Sequence, residues 1–385
     1  MTLSINEKFI IETTQQLVRV DSTNPTLGAK NAGEGQIAAV IADLATGIGL
    51  EVTVQDVLPG RPNVVACLKG TGHGRSLMFN GHTDTVGIHG MVEPFSAGIR
   101  QGKLYGRGSQ DMKASLAAML GAAKAIVDAG ISLSGDLILA FVIDEETMSE
   151  GSADLVQHFS ADAAIVTEPT DLTITRAHRG FTWFEVETFG RAAHGSRFKE
   201  GIDANMHMGR FLAQLDKLEQ ELRARPPHPL VGPPSLHASM IKGGSEISTY
   251  AAHCLLTIER RTVPGETVAS TKAELQAIID HLAAEDENFK STVNATFSRE
   301  PFEVSQEAAI VRTLEQKVTD RLGQRPRHTG QSFWTDAALL AAAGMETVLI
   351  GPLGAGLHSA EEWVDVQSVI DLAAILADTA VEYCG

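Results

Sequence analysis

The sequence predicts an α/β protein of two domains: a sheet covered by helices on both faces, with a smaller α+β domain inserted into it. Its 385 residues suit two domains of ~100–200 residues each. Toward both ends of the chain, apolar runs typical of fully buried strands alternate with helical patterns. In the middle, the strand patterns alternate between apolar and polar residues, as in a sheet with one covered face.

The elements of the larger domain follow from these patterns in order. Apolar residues at helical spacing, among them Phe9, Ile10 and Leu17, indicate the first helix, and the turn-forming run DSTNPT ends it. Up to the middle of the chain, we expect helices at 6–19, 35–48, 114–129 and 151–159, and strands at 51–55, 63–68, 76–80, 136–144 and within ADAAIVTEP.

The middle of the chain has a pattern of its own. FTWFEVETFG and CLLTIERR alternate like half-exposed strands, and helices are expected at 204–225 and 268–284. After about residue 292 the first pattern returns, with helices at 306–322, 336–343 and 366–383 and a strand at 347–351. We therefore expect one discontinuous domain at 1–176 and 292–385, interrupted by an inserted domain at 177–291.

Composition limits the partners and the compartment. A net charge of −17, from 31 basic and 48 acidic residues, argues against nucleic acid and anionic membranes, since both require clustered cations. Cys67, Cys254 and Cys384 are too few and too distant to suggest a disulfide framework. We find no signal-peptide pattern and no apolar run of the ~18 residues that a membrane helix needs, so we expect a cytoplasmic enzyme.

Histidines and carboxylates follow the apolar runs or lie in glycine-rich turns along the whole chain. They supply two imidazoles and several carboxylates, the ligands that a pair of ions such as Zn²⁺ requires. Each has an ordinary explanation taken singly: a structural turn, a helix N-terminus or an exposed acidic loop. Together they indicate a two-metal hydrolase. The candidates are His82, Asp84, Asp111, Glu145, Glu146, Glu168 and His358.

Spacing indicates a role for several of these residues. Asp84, two residues after His82, is placed to hold the far ring nitrogen of that histidine, as carboxylates behind metal-bound histidines do. Asp111 precedes a predicted helix in a glycine-rich turn, and its two oxygens suit a bridge between two ions. For the adjacent Glu145 and Glu146 we expect a division of roles, in which one binds metal and the other takes a proton from the attacking water.

Seven motifs, taken together, resemble those of a known family, the co-catalytic zinc amidohydrolases that include acetylornithine deacetylase, succinyl-diaminopimelate desuccinylase, aminoacylase and the glutamate carboxypeptidases. They come in the family's order between residues 77 and 363: GHTDTV, YGRGSQDMKAS, DEETMSEGS, TEPT, GRAAHGS, ERRTVPGE and LHSAEEW. The resemblance implies a zinc-peptidase-like catalytic domain with a mixed, mostly parallel sheet flanked by helices. It also implies that the inserted α+β domain is a lid and dimerisation domain. Because an exposed strand edge in such a lid suits pairing by strand addition, and twofold dimers are the commonest assembly, we expect a homodimer.

The resemblance also implies a role for each residue. Two Zn²⁺ ions, for which Co²⁺ or Mn²⁺ can substitute, would be bound with Asp111 as the bridge and with a cis peptide after it. Glu145 would be the general base and acid, and Asp84 would support His82. In the lid, His194 would polarise the scissile carbonyl, in some members from the partner subunit, and Arg261 would grip a carboxylate. The implied ligand sets are His82, Asp111 and Glu168 for one ion, and Asp111, Glu146 and His358 for the other.

The expected reaction is hydrolysis of the amide bond in N-acyl amino acids, as in acetylornithine deacetylase-like enzymes. A dipeptidase or carboxypeptidase shares all these residues, and a non-catalytic ligand-binding member or a phosphoesterase remains open. The chain departs from the family pattern at Ala114, Met148 and 248–251, and it lacks the proline usually found after the lid histidine. The segment 248–251 replaces a family asparagine that often contacts substrate, so the residues leave the acyl group and the amino acid open.

Overall fold

The computed structural model describes residues 3–28 and 32–385, which form two compact units. The first unit comprises the chain up to Arg176, together with Val304–Thr329 and Thr335–Gly385, and the second comprises Ala177–Glu303 and Gly330–Trp334. The chain thus returns to the first unit at Val304 and not at residue 292 as expected. The reason is a strand that the sequence did not reveal, Lys290–Arg299, which pairs with Gly180–Phe189 in the second unit.

The helices and strands alternate along the first unit. Before the second unit they are α1 (Glu7–Arg19), α2 (Gly35–Ile48), β1 (Glu51–Leu58), β2 (Arg61–Leu68), β3 (Leu77–His82), β4 (Ile99–Arg100), β5 (Lys103–Tyr105), α3 (Ala114–Asp128), β6 (Leu137–Val142), α4 (Glu150–His158), β7 (Ala163–Val166) and β8 (Ile174–His178).

The second unit and the return to the first complete the chain. In the second unit lie β9 (Gly180–Phe189), α5 (Ala204–Ala224), β10 (Ser235–Gly243), β11 (His253–Thr262), α6 (Val268–Glu285), β12 (Lys290–Arg299) and β13 (Phe302–Glu303). There follow α7 (Ala309–Leu322), β14 (His328–Gln331), α8 (Ala337–Ala342), β15 (Glu346–Leu349), β16 (Gly354–Ala355), β17 (Trp363–Asp365) and α9 (Val366–Cys384).

A mixed sheet forms the centre of the first unit, in the order β1-β2-β6-β3-β7-β15-β8. The central pairs β6-β3, β3-β7 and β7-β15 are parallel, whereas β1-β2, β2-β6 and β15-β8 are antiparallel. Every residue of β3, β6 and β7 is buried, as expected for strands covered on both faces. The predicted α/β class is confirmed, with parallel pairing confined to the four central strands.

Small residues let the helices of the first unit pack closely. The alanine-rich α3 is buried along most of its length and packs against α1 and α9. A Cβ atom at Gly121 of α3 would lie 2.6 Å from Cγ1 of Ile10, so a larger residue there would push α1 away. Among the described residues, no helix is long and apolar enough to cross a membrane.

The second unit is an antiparallel sheet in the order β10-β11-β9-β12. One face of the sheet packs with α5 and α6 around buried residues that include Phe184, Phe211 and Leu275. The strand β10 lies at an edge of the sheet, where Met240 is 67% exposed and Ile241 58% exposed. This is the α+β architecture expected for the middle of the chain.

Candidate metal centre

Three parallel strands deliver most of the candidate side chains to one edge of the central sheet. His82 is the last residue of β3, Glu145 and Glu146 follow β6, and Glu168 follows β7. Because β3 pairs in parallel with both β6 and β7, the carboxyl ends of all three strands meet at the same edge. The sequence-predicted positions at strand ends are therefore neighbours in space.

Asp111 reaches this edge from a tight turn, Ser109–Lys113, that precedes α3. The peptide bond between Asp111 and Met112 is cis, as the resemblance implied. A small sheet in the order β16-β17-β5-β4 joins the strand before this turn to the strand after the loop of His358, since β17 pairs with β5 from Trp363↔Tyr105 to Asp365↔Lys103. It brings the loop that carries His358 next to the turn that carries Asp111.

The donor atoms of these side chains lie close together. Nε2 of His82 is 3.0 Å from Oδ1 of Asp111 and 3.7 Å from Oε1 of Glu168. Nε2 of His358 is 3.1 Å from Oε2 of Glu146 and 3.5 Å from Oδ2 of Asp111. Asp111 therefore directs one oxygen toward each histidine, the arrangement expected of a residue that bridges two ions.

His82 belongs to two groups of possible ligands, and within each group the donor atoms lie within 4.8 Å of one another. The first group also contains Glu145 and Glu168, and the second also contains Asp111 and Glu146. The structure thus brings together all five predicted ligands and the predicted base. The ion that each of them binds stays a prediction.

The chemistry of this cluster fits divalent metal ions. It combines two imidazoles with several carboxylates in a mostly buried place, which Zn²⁺ and similar ions favour. Oε1 of Glu146 is buried and has no hydrogen-bond partner among the residues that the structure describes. A buried carboxylate oxygen without a partner is costly, and a bound cation would remove that cost.

Burial and mutual repulsion raise the pKa of the glutamates. Burial, followed by the charge of Glu168, holds the pKa of Glu145 well above its usual range. Burial also raises the pKa of Glu168 to about 8, although the nearby His82 opposes this shift. These carboxyl groups are crowded and poorly solvated, so nearby positive charge stabilises their ionised forms.

The pKa values of the two histidines are raised as well, which for an imidazole favours the charged form. Hydrogen bonds to Asp111 and Glu146 raise the pKa of His358 to about 10. For His82, burial favours the neutral ring, but hydrogen bonds to Asp111 and Asp84 outweigh burial and raise its pKa well above the usual range. Both imidazoles lie in a field of negative charge that also attracts metal cations.

Asp84 contacts the far ring nitrogen of His82 through its backbone oxygen and, at a longer distance, through its carboxylate. Nδ1 of His82 is 2.9 Å from the backbone oxygen of Asp84 but 3.5 Å from its carboxylate Oδ1. Since a carbonyl oxygen only accepts, Nδ1 carries the proton and Nε2 faces the cluster. The Asp84 carboxylate also accepts from the backbone N–H groups of Glu145, at 3.2 Å, and Glu146, at 3.3 Å. The loop after β3 thereby holds the loop after β6.

His194 and Arg261 lie in the second unit, each in a defined local setting. His194 is exposed, its Nδ1 lies 2.8 Å from Oγ of Ser196, and its backbone forms a bridge with Thr249. The segment 248–251, where the sequence departs from the family pattern, therefore runs beside the predicted oxyanion residue. Arg261 donates to Glu259 at 2.6 Å and lies 5.2 Å over the ring of Phe181. The roles of both residues stay predictions.

The sequence did not reveal several residues that support the cluster. Glu362 accepts from the backbone N–H groups of Gly108, Gln110 and Asp111, and from Arg107. Asn24 donates to Asp84 and to Asp144. No local pattern identifies these contacts, because the partners are far apart in sequence and Asn24 sits in a run whose turn chemistry already explains it.

Comparison with known proteins identifies the relatives of this chain. Residues 78–382 match the Peptidase family M20/M25/M40. An acetylornithine deacetylase of Buchnera aphidicola subsp. Schizaphis graminum is 27% identical over 371 residues, which cover 94% of this chain and 95% of that protein. The N-formyl-4-amino-5-aminomethyl-2-methylpyrimidine deformylase of Bacillus subtilis is 28% identical over 416 residues, which cover 98% of this chain and 97% of that protein.

A solved structure extends the agreement to the fold. The Bacillus subtilis YXEP protein, described as a dinuclear metal binding peptidase from the M20 family, superposes with a TM-score of 0.76 at 15% identity, covering 98% of each chain. The family match spans most of the chain and confirms the resemblance that its motifs indicated. This protein is therefore a hydrolytic enzyme that acts on amide bonds and belongs to the peptidase family M20/M25/M40.

Proposed function

We propose that this enzyme removes the acyl group from an N-acyl amino acid by hydrolysis of the amide bond, with two Zn²⁺ ions at the candidate centre. The observation that carries the proposal is the position of Asp111, whose two carboxylate oxygens face His82 and His358 respectively. A bridging carboxylate with a histidine on each side suits a pair of ions better than a single one.

The curated relatives favour an acyl group over a peptide. One is named as a deacetylase and the other as a deformylase, so both names describe the removal of a small acyl group from nitrogen. The solved neighbour, by contrast, is described as a peptidase, which favours a dipeptidase or carboxypeptidase as the second candidate. Both reactions break an amide bond and require the same catalytic groups.

In the proposed mechanism, His82, Asp111, Glu146, Glu168 and His358 hold the two ions. Bound divalent ions would lower the pKa of water toward ~7 and polarise the scissile carbonyl. Glu145 takes the proton from the attacking water and then gives it to the leaving amine. His194 donates a hydrogen bond to the oxygen that becomes negative, and Arg261 binds the free carboxylate of the amino acid.

We further propose that the second unit serves as a lid and that the enzyme is a cytoplasmic homodimer. The exposed edge strand β10 can pair with the same strand of a second copy, and twofold dimers are the commonest assembly. Cys67, Cys254 and Cys384 are all free thiols, which suits a reducing compartment.

The test is turnover of a mixed panel by metal-stripped enzyme, with and without added Zn²⁺ or Co²⁺. The panel contains N-acetyl, N-succinyl and N-formyl amino acids together with dipeptides, and products are detected by mass spectrometry. We expect metal-dependent release of an acyl group. Cleavage of dipeptides alone would replace the deacylase with a peptidase, and full activity after complete metal removal would contradict the two-metal centre.

A further inference from the structure

Asn24 lies between two acidic side chains at the edge of the candidate metal centre. Its Nδ2 atom donates to Oδ2 of Asp84 at 2.7 Å and to Oδ1 of Asp144 at 3.0 Å, and the residue is completely buried. A carboxamide supplies two N–H donors from one atom. Asn24 therefore joins two carboxylates that would otherwise repel each other in a poorly solvated place.

The partners of Asn24 fix the orientation of its carboxamide. Its Oδ1 accepts from the backbone N–H of Thr26 at 3.0 Å and from the hydroxyl of Thr26 at 2.6 Å. Rotating the amide by half a turn would place oxygen against two carboxylates and nitrogen against two donors. The observed assignment is thus the only one that satisfies all four contacts.

The backbone around Asn24 is held against the loop that follows β3. The N–H of Asn24 donates to the oxygen of Thr85 at 2.8 Å, and the N–H of Thr85 donates to the oxygen of Ser22 at 3.1 Å. The hydroxyl of Ser22 donates to the oxygen of Thr83 at 2.7 Å. The turn after α1 therefore runs beside Asp84 in a fixed register, and the side chain of Asn24 has little freedom.

Asp144 organises the start of the loop that carries Glu145 and Glu146. Its backbone has a φ of +69°, which is uncommon for a residue with a side chain. Its carboxylate accepts from the hydroxyl of Thr147 at 2.7 Å and from the N–H of Met148 at 3.2 Å. The side chain thereby closes the loop back on itself through contacts to the residues three and four positions further along the chain.

A buried ion pair also holds Asp144. Nη2 of Arg61 donates to Oδ1 of Asp144 at 2.8 Å. The same guanidinium makes two bonds to Glu34, at 2.7 and 2.5 Å. A bidentate contact of this kind restricts both the position and the orientation of the guanidinium. The contacts continue from Glu34 through Arg61, Asp144 and Asn24 to Asp84, and we call these five residues the Asn24 network.

We propose that Asn24 and Asp144 are positioning residues for the reaction, because the Asn24 network fixes the loop of Glu145 and Glu146 relative to His82. The network ends on the carboxylate of Asp84, which accepts from the N–H groups of both glutamates. Neither Asn24 nor Asp144 needs to touch metal or substrate for this role. The inference rests on the proposed metal centre but adds the residues that set its geometry.

The test measures metal affinity without substrate. Co²⁺ is titrated into metal-free wild type and into Asn24→Ala, and binding is followed by visible absorption and calorimetry. Loss of a residue that orients metal ligands typically weakens metal affinity by about 10- to 100-fold. We expect a loss of that size for at least one of the two ions in Asn24→Ala, with an altered Co²⁺ spectrum, which reports ligand geometry.

Two further variants separate positioning from general stability. Leu376→Ala removes a fully buried side chain from α9 and should lower the melting temperature while leaving Co²⁺ affinity and spectrum unchanged. Thr26→Val removes only the hydroxyl that locks the carboxamide of Asn24, at an exposed position. We expect it to fold and to show a smaller loss of Co²⁺ affinity, so the test holds even if Asn24→Ala does not fold.

The outcomes are distinct. Wild-type affinity and spectrum in both Asn24→Ala and Thr26→Val would overturn the inference while leaving the proposed function intact. A loss of affinity in Leu376→Ala equal to that in Asn24→Ala would also overturn it, since stability alone would then explain the effect. Failure of the wild type to bind Co²⁺ would overturn the metal centre and this inference with it.

Discussion

At the scale of single residues, the adjacent Glu145 and Glu146 have different surroundings despite their identical chemistry. Glu146 contacts His358 at 3.1 Å, and its donor atom groups with those of His82 and Asp111. The donor atom of Glu145 groups instead with those of His82 and Glu168. The structure thus gives Glu146 a histidine partner of its own, which supports its role as a ligand and leaves Glu145 as the candidate proton carrier.

This division predicts the effect of Glu145→Gln. Glutamine keeps the size of the side chain but cannot accept the proton of the attacking water, so kcat should fall by about 10²- to 10⁴-fold. Metal content, measured by elemental mass spectrometry, should stay at the wild-type level. Glu150→Gln, at an exposed position in the first turn of α4, is the matched control. A kcat near that of the wild type would place the base elsewhere.

At the scale of elements, the sequence predicted the parts of the fold that carry a strong local pattern. The buried strands β6 and β7 are continuous apolar runs and β3 begins with one, so His82, Glu145 and Glu168 could be located at strand ends from sequence alone. The two- and three-residue strands of the small sheet could not be found, because they exist only through pairing between segments such as Trp363 and Tyr105. The polar strand β12 was missed for the same reason, and with it the return of the chain at Val304.

The turn that carries Asp111 depends on one such long-range contact. The carboxylate of Glu362 accepts from the N–H groups of Gly108, Gln110 and Asp111 at 2.8 to 3.0 Å. It also pairs with Arg107 at 2.6 Å, and both of these side chains are only 1% exposed. Only an acceptor with several lone pairs can satisfy this many donors, so the shape of the turn depends on the charge of Glu362.

Replacing this carboxylate should therefore affect both stability and the metal centre. In Glu362→Gln, the amide nitrogen cannot accept from the backbone N–H groups, and buried donors lose their partners. We expect the free energy of unfolding of the metal-free protein to fall by about 1–3 kcal/mol, measured by urea denaturation, and Co²⁺ to bind more weakly. Glu361→Gln, at the exposed neighbouring position, should change neither quantity. Unchanged stability in Glu362→Gln would show that the turn keeps its shape without the charge.

At the scale of the whole molecule, the residues to which the proposal gives roles are divided between the two units. The five proposed metal ligands and Glu145 belong to the first unit, whereas His194 and Arg261 belong to the second. The second unit also exposes apolar side chains on and just after the edge strand β10, with Ile241 58% exposed and Ile247 completely exposed. An exposed apolar edge of this kind favours pairing with a second copy, which would bring a second His194 into the assembly.

If His194 serves the active site of the partner subunit, two inactive variants should restore each other. Separately, Glu145→Gln and His194→Ala are each expected to be nearly inactive. In a mixed dimer, the His194→Ala subunit keeps its own Glu145 and receives His194 from its partner, so one of the two sites is complete. We therefore expect activity to reappear when the two variants are mixed and allowed to exchange subunits, with the dimer verified by size-exclusion chromatography and light scattering. Persistent inactivity in a mixture that demonstrably contains mixed dimers would assign His194 to the active site of its own chain. Each subunit would then lack one side chain that its partner cannot supply.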